Sequence, residues 1–394
     1  MTFALTRAAA LERLAAFLPH AGRAYAGTRN LDRGPGKRSN VSELSPAIRR
    51  RLITEEEVAK AAHAAHGHTA EKFIAEVCWR SYWRGWLEAR PSVWQDYLTQ
   101  VAAADLDLSR DAGLRTAYAD AVNGRTGIDA FDGWARELTD TGYLHNHARM
   151  SFASIWIFTL RLPWALGAAH FYRHLLDACP ASNTLGWRWV AGLQTPGKTY
   201  LARAAIIRDT SCGRFRVEAS LATSAPPLAG PPHPAPIPPS RLSPPDPAAR
   251  TLVWITSEDC TPETLDFGIS PLAIVAVDSI GGDPADAKRA AADSALADAC
   301  IRAEAHFQAP VTRLPEAALL DALDDAATAA RATQIVTPYA PVGPVADRIA
   351  SLTDPLARRG IALRRVLRPW DARAWPHATR GFFAFKPVIP SLLA

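Results

Sequence analysis

Tyr143-Leu144-His145-Asn146-His147-Ala148-Arg149-Met150, answered forty residues later by Leu185-Gly186-Trp187-Arg188-Trp189, is the stretch on which the reading of this chain turns. Its spacing predicts a helix carrying Asn146, Arg149 and Met150. Positions i, i+3 and i+4 share one helical face, so these three side chains can point at one ligand. Beyond it the sequence predicts an apolar helix over 152–162, then Pro163-Trp164, a further helix over 171–177, and a loop with Cys179, Asn183, Trp187 and Trp189. A tryptophan-rich helical core would account for the apolar part of this pattern as well as a ligand site does.

The 394 residues suffice for two domains and a substantial core, and 48% hydrophobic with 21% charged residues is the balance of an ordinary soluble protein. Arg161 and Pro163 interrupt the most apolar run, so no span of ~18–20 residues is long enough for a membrane helix. Glu12 and Arg13 break the Ala/Leu pattern of the first eighteen residues, which argues against a signal peptide and makes the cytoplasm the default expectation. Cys78, Cys179, Cys212, Cys260 and Cys300 lie far apart, so neither a disulfide framework nor a zinc site is expected. His63, His66 and His68 lack a carboxylate partner, and no metal is assigned to them. A net charge of +5 permits nucleic-acid binding only where it is clustered. The clusters are Lys37-Arg38, Arg49-Arg50-Arg51, Arg80 with Arg84, Lys198, and Arg203 with Arg208, and solvated helix faces explain such clusters too.

Taken in order, a helix over 7–17 stops at Pro19. A loop over 22–45 follows, and its Ser39, Ser42 and backbone N–H groups before Ser45-Pro46 suit a phosphate. The run Glu55-Glu56-Glu57 opens a helix, and another over 70–90 carries Phe73, Glu76, Trp79, Arg80, Trp83 and Trp86. Most of that aromatic face reads as core, yet Glu76 and Arg80 share its stripe, and buried charge is costly unless paired or used. Residues 105–124 are polar and carry no clear pattern, and 225–247 form a proline-dense linker. Beyond it, strands at 251–255, 272–277, 334–337 and 362–367 alternate with helices at 284–306, 315–330 and 345–359. That alternation implies a parallel sheet with crossovers. The expected architecture is an all-helical domain over 1–218, a linker over 219–249, and a Rossmann-like parallel α/β domain over 250–394. No G-x-G-x-x-G occurs, so nothing supports dinucleotide binding by the second half.

The first half resembles the FAD-binding half of the photolyase/cryptochrome family. The resemblance rests on Tyr143, His145, Asn146, Arg149, Met150, Asp177, Asn183, Gly186, Trp187 and Trp189, with Thr126-Gly127 and the Glu76-x-x-Trp79-Arg80 helix in register. It implies bent FAD gripped by Tyr25, Ser39, Val41, Ser42, Phe73, Arg80, Asn146, Arg149, Asp177, Cys179 and Asn183. Arg38 replaces a usual Thr, Phe73 a frequent Trp, and Cys179 the Asp that faces flavin N3–H; the rim at 192–200 also departs from the family. Asn183 would stand beside flavin N5. Glu76, Trp79, Asn146, Met150 and Trp189 would line a pocket for a pyrimidine dimer flipped from UV-damaged DNA. The implied activity is that of a deoxyribodipyrimidine photo-lyase, with an electron passing from excited reduced FAD to the dimer and back. A cryptochrome-like light or redox sensor without repair activity is the alternative. Trp187 and Trp164 match the first two members of the family's electron relay; the third has no Trp counterpart, and Tyr118 is a candidate. With three cysteines in the flavin half, no iron–sulfur cluster is expected. The second half resembles the family's α/β antenna domain, placed after rather than before the helical one and closed by residues 381–387. A second chromophore there is left unidentified, and a monomer is expected.

Overall fold

In the computed structural model, which describes residues 3–239, 241–277 and 283–394, the chain is helical to residue 210 and builds a sheet flanked by helices from 251 onward. The first part comprises α1 (Arg7–Phe17), α2 (Arg23–Thr28), α3 (Ser45–Arg49), α4 (Glu55–His66), α5 (Glu71–Glu88), α6 (Ser92–Arg110), α7 (Ala112–Val122), α8 (Asp129–Thr141), α9 (Asn146–Ser154), α10 (Trp164–His174), α11 (Pro180–Val190) and α12 (Ala204–Thr210). Local signals set these ends. The Thr6 hydroxyl accepts the Ala9 N–H to open α1. Thr54 and Glu57 form a reciprocal capping box at α4, whose first turn holds three glutamates.

Several boundaries differ from the sequence reading, each for a local reason. The loop over 22–45 contains the short α2. The polar 105–124 stretch is helical, divided at Asp111, whose carboxylate accepts the Leu114 N–H and starts α7. The helix read at 171–177 begins instead at Trp164, directly after Pro163, and ends at His174. The segment read as a loop carrying Asn183, Trp187 and Trp189 is α11, with Pro180 in its first turn and Cys179 as its N-cap. α9 runs on into a π-helical turn, Ile155–Thr159, in which the Leu160 N–H reaches back to the Ile155 carbonyl.

The second part contains β1 (Thr251–Thr256), β2 (Ala273–Val277), α13 (Asp286–Phe307), β3 (Val311–Arg313), α14 (Leu319–Ala329), β4 (Gln334–Pro338), α15 (Pro344–Arg358) and β5 (Ala362–Val366). The five strands form one parallel sheet in the order β3-β2-β1-β4-β5. The edge strand β3 is only three residues long and leaves no alternating pattern to read. Period two divides the sheet's side chains. Val253, Ile255, Ile274, Ala276 and Val336 join a core shared with α13 and the helical part. Leu252, Trp254, Val275 and Ile335 join a second core with α14 and α15.

After β5 the chain returns to the helical part. α16 (Pro369–Ala374), α17 (Phe382–Phe385) and α18 (Ile389–Leu393) pack against α4 and α5. Gly85 makes room for this, since a Cβ there would meet the Trp375 backbone at 2.8 Å. The Trp370 indole N–H donates to Ser81 Oγ at 2.8 Å. Residues 381–387, read as the close of the α/β half, therefore lie on the helical half.

Buried ion pairs fix the two parts together. Arg49 grips Glu258 through two bonds of 2.6 Å, Arg51 reaches Asp259 and Asp371, and Arg368 holds Asp259 through two further bonds of 2.6 Å. The Arg49-Arg50-Arg51 run, read as a candidate basic surface, is thus buried. Arg38 is buried as well, between Asp32 and Glu137. Charge withdrawn from water survives only when paired, and here the acidic partners lie up to 320 residues away in sequence.

Candidate active site

Three helices converge on one cavity. α5 contributes Glu76, Trp79, Arg80 and Trp83; α9 contributes Asn146, Arg149, Met150 and Ala153; α11 contributes Ser182, Asn183, Gly186, Trp187, Trp189 and Val190. It measures about 500 Å³ and its walls are mainly apolar. A second cavity of about 220 Å³ is lined by Tyr25, Val41, Ser42, Ser45, His147 and Asp177, and shares Glu76, Arg80, Asn146 and Arg149 with the first. The shared residues make one two-lobed site, with one apolar lobe and one lined by hydroxyls and charges. A total of several hundred Å³ lies within the range of cofactor sites.

Histidine chemistry sets the start of α9. His145 Nδ1 accepts the His147 N–H at 3.2 Å, and Nε2 lies 2.9 Å from the Arg29 carbonyl. A ring that accepts at one nitrogen and donates at the other is neutral, and burial lowers its pKa to about 4 despite the nearby Asp32. One turn on, Arg149 donates two parallel bonds to Asp177, at 3.0 and 2.9 Å, and a third to the Leu144 carbonyl at 2.8 Å. Burial raises the Asp177 pKa, but Arg149, Arg80 and a hydrogen bond from Ser45 outweigh it, so the carboxylate is held below its ordinary value. Glu76 opens onto both lobes; desolvation by the surrounding wall raises its pKa against the pull of Arg29, 3.6 Å away. Asn183 donates its amide to the Ala168 carbonyl at 2.8 Å, which pins the side chain to α10. At Gly167 a Cβ would strike the Trp187 ring at 2.3 Å, so only glycine lets α10 and α11 approach this closely.

Cys179 is buried and lines neither cavity; Ser182, one turn later, does. Its sulfur lies 2.9 Å from Ser182 Oγ and accepts the Ser182 N–H at 3.2 Å, the geometry of a helix N-cap. Burial pushes the thiol up, yet Arg80, Arg84, Arg49 and the Ser182 bond together bring it below its ordinary value. Phe73 is also away from the cavities, packed on Phe17 and Tyr25, and Ser39 is exposed beside Arg33.

Among the described residues, no ring contact joins Trp164 to Trp187. Trp164 packs on Tyr97, with ring centroids 5.7 Å apart, and donates to Gln100. Trp187 instead meets Trp156 at 6.1 Å, and Trp156 meets the half-buried Tyr118 at 5.9 Å. This line of rings from the cavity wall toward solvent depends on the π-helical turn, which the apolar run over 152–162 did not reveal. Phe171 and Phe383 are further lining residues missed by the sequence reading. The first follows from the earlier start of α10 and the second from the returning tail.

Residues 73–211 match the family described as the FAD binding domain of DNA photolyase. A deoxyribodipyrimidine photo-lyase of Streptomyces griseus is 34% identical over 157 residues, covering 39% of this chain and 33% of that protein. One from Thermus thermophilus is 34% identical over 198 residues, covering 49% and 44%. The crystal structure of a bacterial class III photolyase from Agrobacterium tumefaciens aligns at 25% identity with a TM-score of 0.42, covering 52% of this chain and 44% of that one. The chain thus matches between a third and a half of each relative's length. The cavity fits the cofactor that this domain implies. Arg80 Nε and the Trp187 indole N–H are buried without a partner at its wall, and the smaller lobe offers the cations and hydroxyls that a pyrophosphate requires. Residues 73–211 thus form an FAD-binding domain of the photolyase type, and it is over this part of the chain that the similarity to deoxyribodipyrimidine photo-lyases runs.

Proposed function

We propose that this protein uses FAD and light to split cyclobutane pyrimidine dimers in DNA. The observation that carries the reading is the shared wall of the larger lobe: Glu76, Trp79, Asn146, Met150 and Trp189 stand in the same cavity as Asn183 and Trp187. A pyrimidine dimer extruded from the duplex and a flavin ring would therefore occupy adjoining space. Bound and reduced, FAD supplies a light-absorbing electron donor. Trp79, Met150 and Trp189 offer apolar faces to the extruded bases. Glu76, which opens onto both lobes and lies 3.6 Å from Arg29, offers its carboxylate as a hydrogen-bond partner to a pyrimidine edge. The Asn146 amide, 3.6 Å from Met150 Sδ, has hydrogen-bonding capacity left for a base edge.

On this reading the helical residues 1–218 bind flavin and lesion, 219–249 link, and 250–394 form an antenna-like unit. The partner is UV-damaged DNA, and the protein acts as a cytoplasmic monomer. No helix among the described residues is long and apolar enough to cross a membrane. The test is to illuminate the photoreduced protein with dimer-containing oligonucleotide and measure restored thymine. A flavin-loaded protein that restores none would leave light or redox sensing as the function.

A further inference from the structure

Phe383 is 86% exposed, the most exposed large apolar side chain among the described residues, yet the backbone that carries it is clamped on both sides. Before it, the Tyr82 hydroxyl donates to the Arg380 carbonyl at 2.7 Å and Arg90 donates to the Thr379 carbonyl at 2.8 Å. After it, the buried Phe385 ring packs 5.8 Å from Tyr82 and Lys386 pairs with Glu71 at 2.5 Å. Its neighbour Phe382 is buried and lies flat on Trp79, with ring centroids 3.9 Å apart and planes at 12°. Trp79 is thereby held on one face, and Phe383 projects at the mouth of the cavity that Trp79 lines.

A lone exposed aromatic on a mobile loop needs no explanation. An exposed ring on a segment fixed by four tertiary contacts differs, because little of its contact energy is spent on ordering the chain when a ligand arrives. The flat ligand that the proposed function brings to this mouth is a nucleobase, and aromatic rings stack on bases of any sequence. We infer that Phe383, supplied by the chain's returning tail, is a substrate-contacting residue that stacks on a base of the lesion strand at the cavity mouth. The inference rests on the proposed function and adds to it a binding element contributed from outside the flavin-binding domain.

The test is a dark titration of flavin-loaded, full-length protein against a fluorescent duplex carrying one cyclobutane thymine dimer, with the undamaged duplex as reference. F383A should weaken binding to the damaged duplex by about tenfold, the scale of one stacked base. F383W should retain wild-type affinity, and F383L should fall between. Flavin content and melting temperature should not change, since the ring is exposed. An F383A protein that binds the damaged duplex within a factor of about two of wild type overturns the inference, one stacked base being worth more than that. Wild type that does not distinguish the two duplexes overturns the proposed function and this inference with it, and the wild-type titration alone identifies that outcome.

Discussion

Arg149 and Asp177 face each other across two parallel hydrogen bonds of 3.0 and 2.9 Å at the junction of the two cavity lobes. Asp177 is buried while Arg149 keeps a quarter of its side-chain surface in water. Removing the arginine therefore strands a buried carboxylate. R149A should lose most of its bound FAD and melt earlier, by an amount approaching the ~3–5 kcal/mol of a broken buried pair. The ratio of flavin to protein absorbance after gel filtration checks this, and full flavin content in R149A would contradict it.

Asp259 is the hub that ties sheet to helices, accepting from Arg368 and Arg51. Burial raises its pKa, but Arg368 and Arg51 bring it to about 2. D259N should cost roughly 3–5 kcal/mol, because two guanidinium groups lose their shared counter-charge. Urea unfolding followed by circular dichroism measures the loss; a wild-type midpoint would rule the hub out.

Glu88 behaves oppositely. Its carboxylate accepts from the Val342 N–H at 2.5 Å and the Tyr339 hydroxyl at 2.8 Å, yet burial lifts its pKa from 4.5 to about 7. The folded state binds this proton more tightly than the unfolded chain does. Its contribution to stability is therefore complete below about pH 4.5 and is lost as pH rises through 7, a total of roughly 3 kcal/mol. The difference in unfolding free energy between wild type and E88Q should fall across that window. A difference that is flat or rising with pH is the contrary result.

The Trp187–Trp156–Tyr118 line predicts where electrons enter a bound flavin. W156F should photoreduce more slowly than W164F under illumination with an external thiol, flavin content being equal in both. Slowing confined to W164F would assign the route to Trp164, and equal slowing in both variants would contradict a route that runs through Trp156 and bypasses Trp164.

Much of the fold was legible because its signals are local. Short apolar runs alternating with helices marked four of the five strands, and Thr54 with its glutamates marked α4. The helical spacing of Asn146, Arg149 and Met150 placed all three at one cavity. Other features depend on long-range partners. Nothing in Arg49-Arg50-Arg51 reveals acidic residues more than 200 positions away, so buried pairs read as surface charge. Cys179 fits a family position in the sequence, whereas its cap geometry with Ser182 appears only in three dimensions. The same holds for Phe383, which the tail carries back to a site built by other helices.

The most direct measurement is dimer repair under controlled light and redox state. Purified protein with its flavin photoreduced should restore thymine from a cyclobutane dimer in illuminated duplex DNA, and should do nothing in the dark. Oxidised protein assayed before photoreduction should lag behind. Flavin-loaded, fully reduced protein that leaves the dimer intact under light would contradict the account.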